Sequence, residues 1–228
     1  MSFDDTFRGQ RALVFGGTGA IGNALVDRLA QSMAVETLSR THNGFDITSE
    51  TAVANWASKI NPGLRVIIDA TGALEINGAE PEKSITKIDP DAMMAQFALN
   101  ALGPALALKH FVPLLEKQGP VIFASLSARV GSIGDNRIGG WISYRSAKAA
   151  LNQILHTASI EIARKRPEAV VVALHPGTVT SDLTSKYLGR HASVSPAEAA
   201  DNLVRVLGGL TPADTGGFFD WKGEVVPW

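Results

Sequence analysis

Residues 12–22 read Ala12-Leu13-Val14-Phe15-Gly16-Gly17-Thr18-Gly19-Ala20-Ile21-Gly22, a short apolar run that passes directly into glycines three residues apart. The run predicts a buried strand over 12–15, and the amphipathic pattern after it predicts a helix over 21–31. Gly16, Gly19 and Gly22 therefore fall at a strand-to-helix turn. Glycine there permits a tight turn, close backbone approach to a pyrophosphate and close helix packing, with the phosphate at the positive helix end. A plain turn would use glycine too, but a position straight after an apolar strand and before an amphipathic helix favours dinucleotide binding. The contacts expected in this turn are Gly16, Gly17, Thr18, Gly19, Ile21 and Gly22.

Outward from the turn, further strands are predicted over 35–38, 66–68, 121–125 and 169–174, with helices over 51–59, 90–116 and 143–166. Such alternation marks repeated βαβ units, and fully apolar central runs are expected when helices cover both faces of a parallel sheet. A last helix over 196–207 opens with Ser195 as N-cap, Pro196 at its first position and Glu198 at its third. The Gly-punctuated tail GGFFDWKGEVVPW predicts an edge strand, and residues 77–89 are the most loop-like internal stretch. With no repeat and no linker, the 228 residues read as a single doubly wound Rossmann-like α/β domain, its mostly parallel sheet flanked by helices.

The composition, 45% apolar and 19% charged, is that of a globular chain with a packed interior. A net charge of -1 gives no field for steering onto nucleic acid or anionic lipid. The absence of cysteine excludes disulfides, thiolate metal sites and a Cys nucleophile, and suits a reducing cytosol. The start MSFDDTFRGQR carries no signal-like apolar stretch and no run approaches a membrane span, so a soluble cytoplasmic protein is expected. His42, His110, His156, His175 and His191 lack metal-ligand spacing, and no metal site is expected. The basic run Arg164-Lys165-Arg166 complements a helix C-terminus and needs no nucleic-acid reading.

Ser143-Tyr144-Arg145-Ser146-Ala147-Lys148 heads a long predicted helix and puts Tyr144 and Lys148 four apart on one face. A cation beside a phenol favours the phenolate, so a tyrosine whose ordinary pKa is about 10 could exchange protons nearer neutrality. A carbonyl/alcohol redox step needs such a group. A surface Tyr and Lys one turn apart by chance would give the same pair.

Taken together, the glycine turn and the Tyr144/Lys148 pair resemble the short-chain dehydrogenase/reductase family over nearly the whole chain. The stretches LSARVGS, GGWISYRSAKAALN and VVALHPGTV are more particularly similar to its C-factor-like and Sniffer-like carbonyl reductase branch. The resemblance implies NAD(P) at the glycine turn and proton transfer by Ser, Tyr and Lys assisted by Asn. By position these are Ser127 at the end of VIFASLS, Tyr144, Lys148 and Asn100 in LNALGP, with Ser125 as a second candidate for the hydroxyl. Tyr144 and Lys148 would also touch the cofactor. It further implies nicotinamide contacts from Pro176, Gly177, Val179 and Ser181, and an adenine contact from Asp46.

The sequence also departs from the family. Phe15 replaces the threonine that opens the glycine turn, and Asp69-Ala70-Thr71-Gly72 stands where the family has NNAG, leaving Ala70, Thr71 and Gly72 as the expected cofactor contacts. Where NAD-specific members place an acid after the second strand, this chain has Ser39 and Arg40. A guanidinium grips a 2′-phosphate that an acid would repel, so NADP(H) is the expected cofactor, with NAD(H) possible, whereas a solvated loop charge is the plain alternative for Arg40. Glu36 lies within the strand and reads as structural.

The sequence thus predicts an NADP-dependent oxidoreductase acting on a small-molecule carbonyl or alcohol, with no nucleic-acid or membrane partner. A cofactor-binding regulatory protein of C-factor type with little turnover is the alternative, and another Rossmann class such as a methyltransferase is disfavoured by the YxxxK pair and the PG turn. Trp141, Ile142, Tyr187 and Leu188 are candidate substrate walls, and the short stretch 178–194 predicts an open site. The stripe Leu99, Leu102, Leu106, Phe111, Leu114, Leu115 reads as core, while the resemblance implies that part of it faces a second subunit in a homodimer or homotetramer.

Overall fold

Six strands form one sheet in the order β2-β1-β3-β4-β5-β6, and every pairing is parallel. They are β1 (Arg11–Phe15), β2 (Ala34–Leu38), β3 (Leu64–Asp69), β4 (Val121–Leu126), β5 (Ala169–His175) and β6 (Phe218–Asp220). The computed structural model describes residues 2–180 and 193–228. The mostly parallel sheet expected from the sequence is wholly parallel among these residues, because the tail strand β6 joins β5 in the same direction.

Alternation along each strand builds a core on either face. Leu13, Phe15, Phe123, Val171 and Ala173 point to one side and Ala12, Val14, Ile122, Ala124, Val170 and Val172 to the other. The second side is covered by α1 (Phe3–Phe7), α2 (Ala20–Leu29) and α8 (Pro196–Gly209) through Phe3, Phe7, Leu25, Leu29, Leu203 and Leu207. The first is covered by α4 (Glu50–Ala57), α6 (Gly103–Phe111) and α7 (Ile142–Ala163), with α5 (Pro90–Phe97) packed on α7. There Phe15, Phe45 and Phe111 close on one another, with Phe15 and Phe111 centroids 4.8 Å apart. Ser195 caps α8 by accepting from the Glu198 N–H at 3.2 Å, as the sequence signal predicts.

Three local features differ from the expectation. The short helix α1 and the four-residue α3 (Arg40–Asn43) had no periodic signal, being too short to show one. The helix expected over 90–116 is interrupted at Ala98–Leu102 by a π-helical segment between α5 and α6. The 25 residues Pro90–Leu114, with an 18-residue window of mean hydropathy 1.2, are long and apolar enough to cross a membrane, and 44% of that window is buried in this fold. The Glu36 reading holds, since its carboxylate pairs with Arg11 at 2.5 Å across β1 and β2.

Candidate active site

The chain leaves β1 for the edge strand β2 and returns on the other side of β1 to form β3, so the carboxyl ends of β1 and β3 flank a topological switch point. Doubly wound sheets open their ligand crevice at that place. Gly16 turns the chain there with φ 76°, its N–H donating to the Leu38 carbonyl at 2.8 Å. A Cβ on Gly16 would stand 3.0 Å from the Ala70 carbonyl oxygen, one on Gly17 would overlap Thr37 Oγ1, and one on Gly22 would overlap the Gly16 carbonyl oxygen. Gly19 is the N-cap of α2 and provides no side-chain cap, which leaves the first N–H groups of that helix for an external acceptor. Ile21 lies in the first turn of the same helix.

Beside this turn, the exposed Thr18 accepts a hydrogen bond from Thr41 Oγ1 at 2.9 Å, tying the segment after β2 to the glycines. Ser39 is buried and caps α3, accepting from the His42 N–H at 3.2 Å. Arg40, the first residue of α3, is exposed and forms no ion pair among the described residues. Asp46 closes a local turn by accepting from Thr48 N–H and Oγ1 at 2.9 and 2.7 Å.

On the opposite wall, β3 ends in Asp69, which is 0% exposed. Its Oδ1 accepts from the Thr71 N–H and hydroxyl at 3.0 and 2.6 Å, and its Oδ2 from the Ser125 hydroxyl at 2.7 Å. Burial pushes the Asp69 carboxyl up, while these hydrogen bonds and Lys148 pull it back. Ser125, opposite Asp69 in the ladder, is thereby committed inside the sheet. Ser127 lies one residue past the end of β4 and donates to Asn152 Oδ1 at 2.6 Å, which makes it the hydroxyl of the pair that belongs to α7.

The helix α7 starts from a strained turn. Gly139, Gly140 and Trp141 all have positive φ, and for Trp141 (φ 54°) the left-handed region is costly. The loop 77–89 compensates: Trp141 N–H donates to the Glu82 carbonyl oxygen at 2.5 Å, and the Ser143 N–H and hydroxyl donate to the Glu82 carboxylate. The Trp141 ring then stands 6.5 Å from that of Tyr144, with Ile142 beginning the helix. Gly131 lets the turn after β4 approach α7, since a Cβ there would lie 2.8 Å from Lys148 Cβ.

Tyr144 and Lys148 share one face of α7, with Lys148 Nζ 6.0 Å from the phenol ring centroid. Lys148 is 4% exposed, donates to the Leu126 carbonyl at 2.8 Å, and is brought by burial down to about 8 against the opposing attraction of Asp69. The expectation that Lys148 lowers the Tyr144 pKa is corrected here. Burial pushes that phenol up to about 12, while the ammonium, 6.0 Å from the ring centroid, donates to the Leu126 carbonyl.

Asn100, which the resemblance implies assists the proton transfer, has its side chain engaged beside the crevice. It projects from the π segment fully buried, its Nδ2 donating to the Ala73 carbonyl and Gln96 Oε1 at 3.0 and 2.7 Å, and its Oδ1 accepting from Ala73 N–H at 3.2 Å. The side chain therefore braces the segment after Gly72. A Cβ on Gly72 (φ 134°) would meet Asn100 Oδ1 at 2.7 Å and Lys148 Nζ at 3.3 Å, so this glycine keeps the floor of the crevice open.

At the end of β5, His175 precedes Pro176 and Gly177, whose φ of 79° sets the turn. Burial brings His175 down to about 4, so it is neutral at pH 7. Val179 pairs with Val194, while the expected contact Ser181 and the walls Tyr187 and Leu188 lie outside the described residues. Gln96, Asp69, Asn152 and Glu82 complete the site. The first three carried signals, as polar residues four apart on an apolar helix, at the end of an apolar strand, and one turn beyond Lys148. Glu82 carried none.

One test of this electrostatic arrangement is Asp69→Asn. Removing the carboxylate removes the attraction that favours the Lys148 cation, so the fall in activity as pH rises through about 8 should move to lower pH in the variant. A pH–rate profile with an unmoved basic limb would show that the two groups do not communicate.

A glycine cradle at the switch point, with Tyr144, Lys148 and Ser127 at its open end, defines a dinucleotide-binding α/β protein of the oxidoreductase type. The comparisons narrow that class: a family profile described as Enoyl-(Acyl carrier protein) reductase matches residues 13–217. The chain belongs to the short-chain dehydrogenase/reductase family. It is 32% identical over 185 residues to a 1-hydroxy-2-glutathionyl-2-methyl-3-butene dehydrogenase of Rhodococcus sp. (strain AD45), covering 81% of this chain and 79% of that one. It is 36% identical over 142 residues to the C-signal protein of Myxococcus xanthus, covering 62% and 81%. Among solved structures, carbonyl reductase Sniffer of D. melanogaster matches 97% of this chain and 100% of its own with TM-score 0.79 at 20% identity. An NADPH-bound carbonyl reductase from chicken fatty liver matches 97% and 95% with TM-score 0.81 at 22% identity.

Proposed function

We propose that this chain is an NADP(H)-dependent oxidoreductase that interconverts a small carbonyl compound and its alcohol. The observation that carries the reading is the convergence of the buried Lys148 and Ser127 and the half-buried Tyr144 on a crevice whose other wall is the glycine turn. The residues fit a dinucleotide. Gly16, Gly17 and Gly22 sit where no side chain has room, Gly19 leaves the start of α2 uncapped, and the exposed Arg40 is free to pair with a 2′-phosphate. Thr18, Ile21, Ala70, Thr71, Gly72, Pro176, Gly177 and Val179 would line the rest of its path, with Asp46 toward the adenine. Bound there, the cofactor supplies the hydride that, with one proton, turns a carbonyl into an alcohol.

The chain's own residues handle the proton. A phenol pushed up to about 12 is protonated at neutral pH, so Tyr144 is poised to give its proton to the carbonyl oxygen as negative charge develops there. Ser127 is placed to donate a hydrogen bond to the same oxygen, and Lys148, with its Nζ 6.0 Å from the phenol ring centroid, to touch the cofactor. The same geometry in reverse requires Tyr144 to start deprotonated. We further propose cytoplasmic action as a homodimer or homotetramer, consistent with Met94, Leu102 and Ile160 exposed along α5, the π segment and α7.

Titration with NADPH and with NADH, followed by carbonyl-dependent NADPH oxidation, tests the reading. Tight NADPH binding with turnover supports it, binding without turnover shifts it to a regulatory protein, and no binding removes it. Arg40→Glu isolates the cofactor preference. Losing a charge-assisted contact and adding repulsion should weaken NADPH about 10–100-fold while NADH changes little. Equal effects on both would return Arg40 to an ordinary surface charge.

A further inference from the structure

Tyr144, Lys148 and Asn152 stand four residues apart on one face of α7, so the face carrying the proton chemistry ends in a carboxamide. Asn152 is 2% exposed. Its Oδ1 takes the Ser127 hydroxyl hydrogen at 2.6 Å, while its Nδ2 is buried with no hydrogen-bond partner. Both features conflict with a working site. A hydroxyl has one hydrogen, and with that hydrogen given to Asn152, Ser127 can offer a carbonyl oxygen only lone pairs. A buried amide donor without an acceptor is costly as well.

Rotating the carboxamide by half a turn relieves both conflicts, because it exchanges nitrogen and oxygen with almost no change of shape. Nδ2 then donates to Ser127 Oγ, and the Ser127 hydrogen is released toward the crevice. The carbonyl oxygen that takes the former place of Nδ2 is the cheaper group to leave under-satisfied. We propose that Asn152 is a positioning residue that sets the polarity of the Ser127 hydroxyl, donating to it in the reactive state so that Ser127 can donate to the substrate oxygen. The inference rests on the oxidoreductase reading above.

Asn152→Asp and Asn152→Leu, alone and combined with Ser127→Ala, test it with NADPH and an aromatic aldehyde. A carboxylate only accepts, so Asn152→Asp holds the Ser127 hydrogen away from the substrate. Its kcat should fall on the order of 10–100-fold at neutral pH, with KM for the aldehyde and the fluorescence-measured Kd for NADPH unchanged. As pH falls and the new carboxyl takes up a proton, it becomes a donor, and kcat relative to wild type should recover. Besides Tyr144, the titratable groups on α7 are Arg145, Lys148, His156 and Glu161, and those on the elements packed against it are His175 on β5, Arg129 on the turn after β4, Asp91 on α5, and Lys109 and His110 on α6, with Asp69 acting on Lys148. They act in wild type as well, so the ratio isolates the new carboxyl.

Asn152→Leu frees the hydroxyl but no longer braces it, and should cost less than Asn152→Asp with no recovery at low pH. In the Ser127→Ala background neither change should lower kcat further, and this cycle remains decisive through Asn152→Leu if the aspartate variant does not fold. A wild-type kcat in Asn152→Asp, a deficit equal at every pH, or additive losses in the double variants would overturn the inference while leaving the oxidoreductase reading intact. A wild-type chain without carbonyl turnover removes both.

Discussion

Tyr144→Phe should fold and bind NADPH like wild type yet lose carbonyl reduction by roughly 10²–10⁴-fold, the range that general acid catalysis contributes. The ring stays, so the edge contact with Trp141 at 6.5 Å and the packing at the start of α7 survive. No hydrogen bond from the phenol oxygen holds the fold together among the described residues, so its removal deletes a proton donor and little else. Stopped-flow NADPH oxidation with an aldehyde, beside a fluorescence titration of cofactor binding, gives the two numbers. Turnover preserved in this variant would disprove the role assigned to Tyr144 and with it the proposed reaction.

The second large effect is expected at Gly22→Ala. A Cβ there overlaps the carbonyl oxygen of Gly16, and both atoms are fixed to backbone, so no rotamer change can relieve the clash. Overpacking of this kind costs about 1–3 kcal/mol, which for a chain of this size lowers Tm by roughly 2–12 °C. The turn itself must shift, so NADPH binding should fall by more than about tenfold, the equivalent of 1.4 kcal/mol. Gly19→Ala is the control. Its Cβ would sit 3.4 Å from the Gly16 carbonyl oxygen, an ordinary contact, so Tm should hold while any loss of NADPH affinity reports close approach of the ligand itself. Calorimetry and the same titration separate the two, and a Gly22→Ala protein with native Tm and native affinity would rule out the cradle as described.

Asn100 and Ser127 show how far the sequence carries into the site. The sequence puts Ser127 at the end of VIFASLS; in the structure Ser127 lies one residue past β4 and reaches α7, while Ser125 faces Asp69 within the ladder. The resemblance singled out Asn100, and the structure buries it completely. Its task could not be read from spacing, since the π segment at Ala98–Leu102 turns the carboxamide onto Ala73 and Gln96. The pKa order of Tyr144 and Lys148 was equally hidden. Proximity in a helix says that a cation is near, whereas desolvation and the direction of Lys148 Nζ toward Leu126 decide which group moves and which way.

By itself the sequence determined the doubly wound α/β domain, the turn at Gly16 to Gly22, and the one-face placement of Tyr144 and Lys148, because strand alternation, helix periodicity and glycine geometry are properties of neighbours along the chain. Only the tertiary structure decided that Glu82, from a loop some sixty residues earlier, secures the left-handed Trp141 entry to α7. It alone set Asp69 against Lys148 and Ser127 against Asn152. Those pairings join groups distant in sequence inside a buried, low-dielectric crevice, where solvation and hydrogen-bond direction are fixed by packing rather than by local pattern.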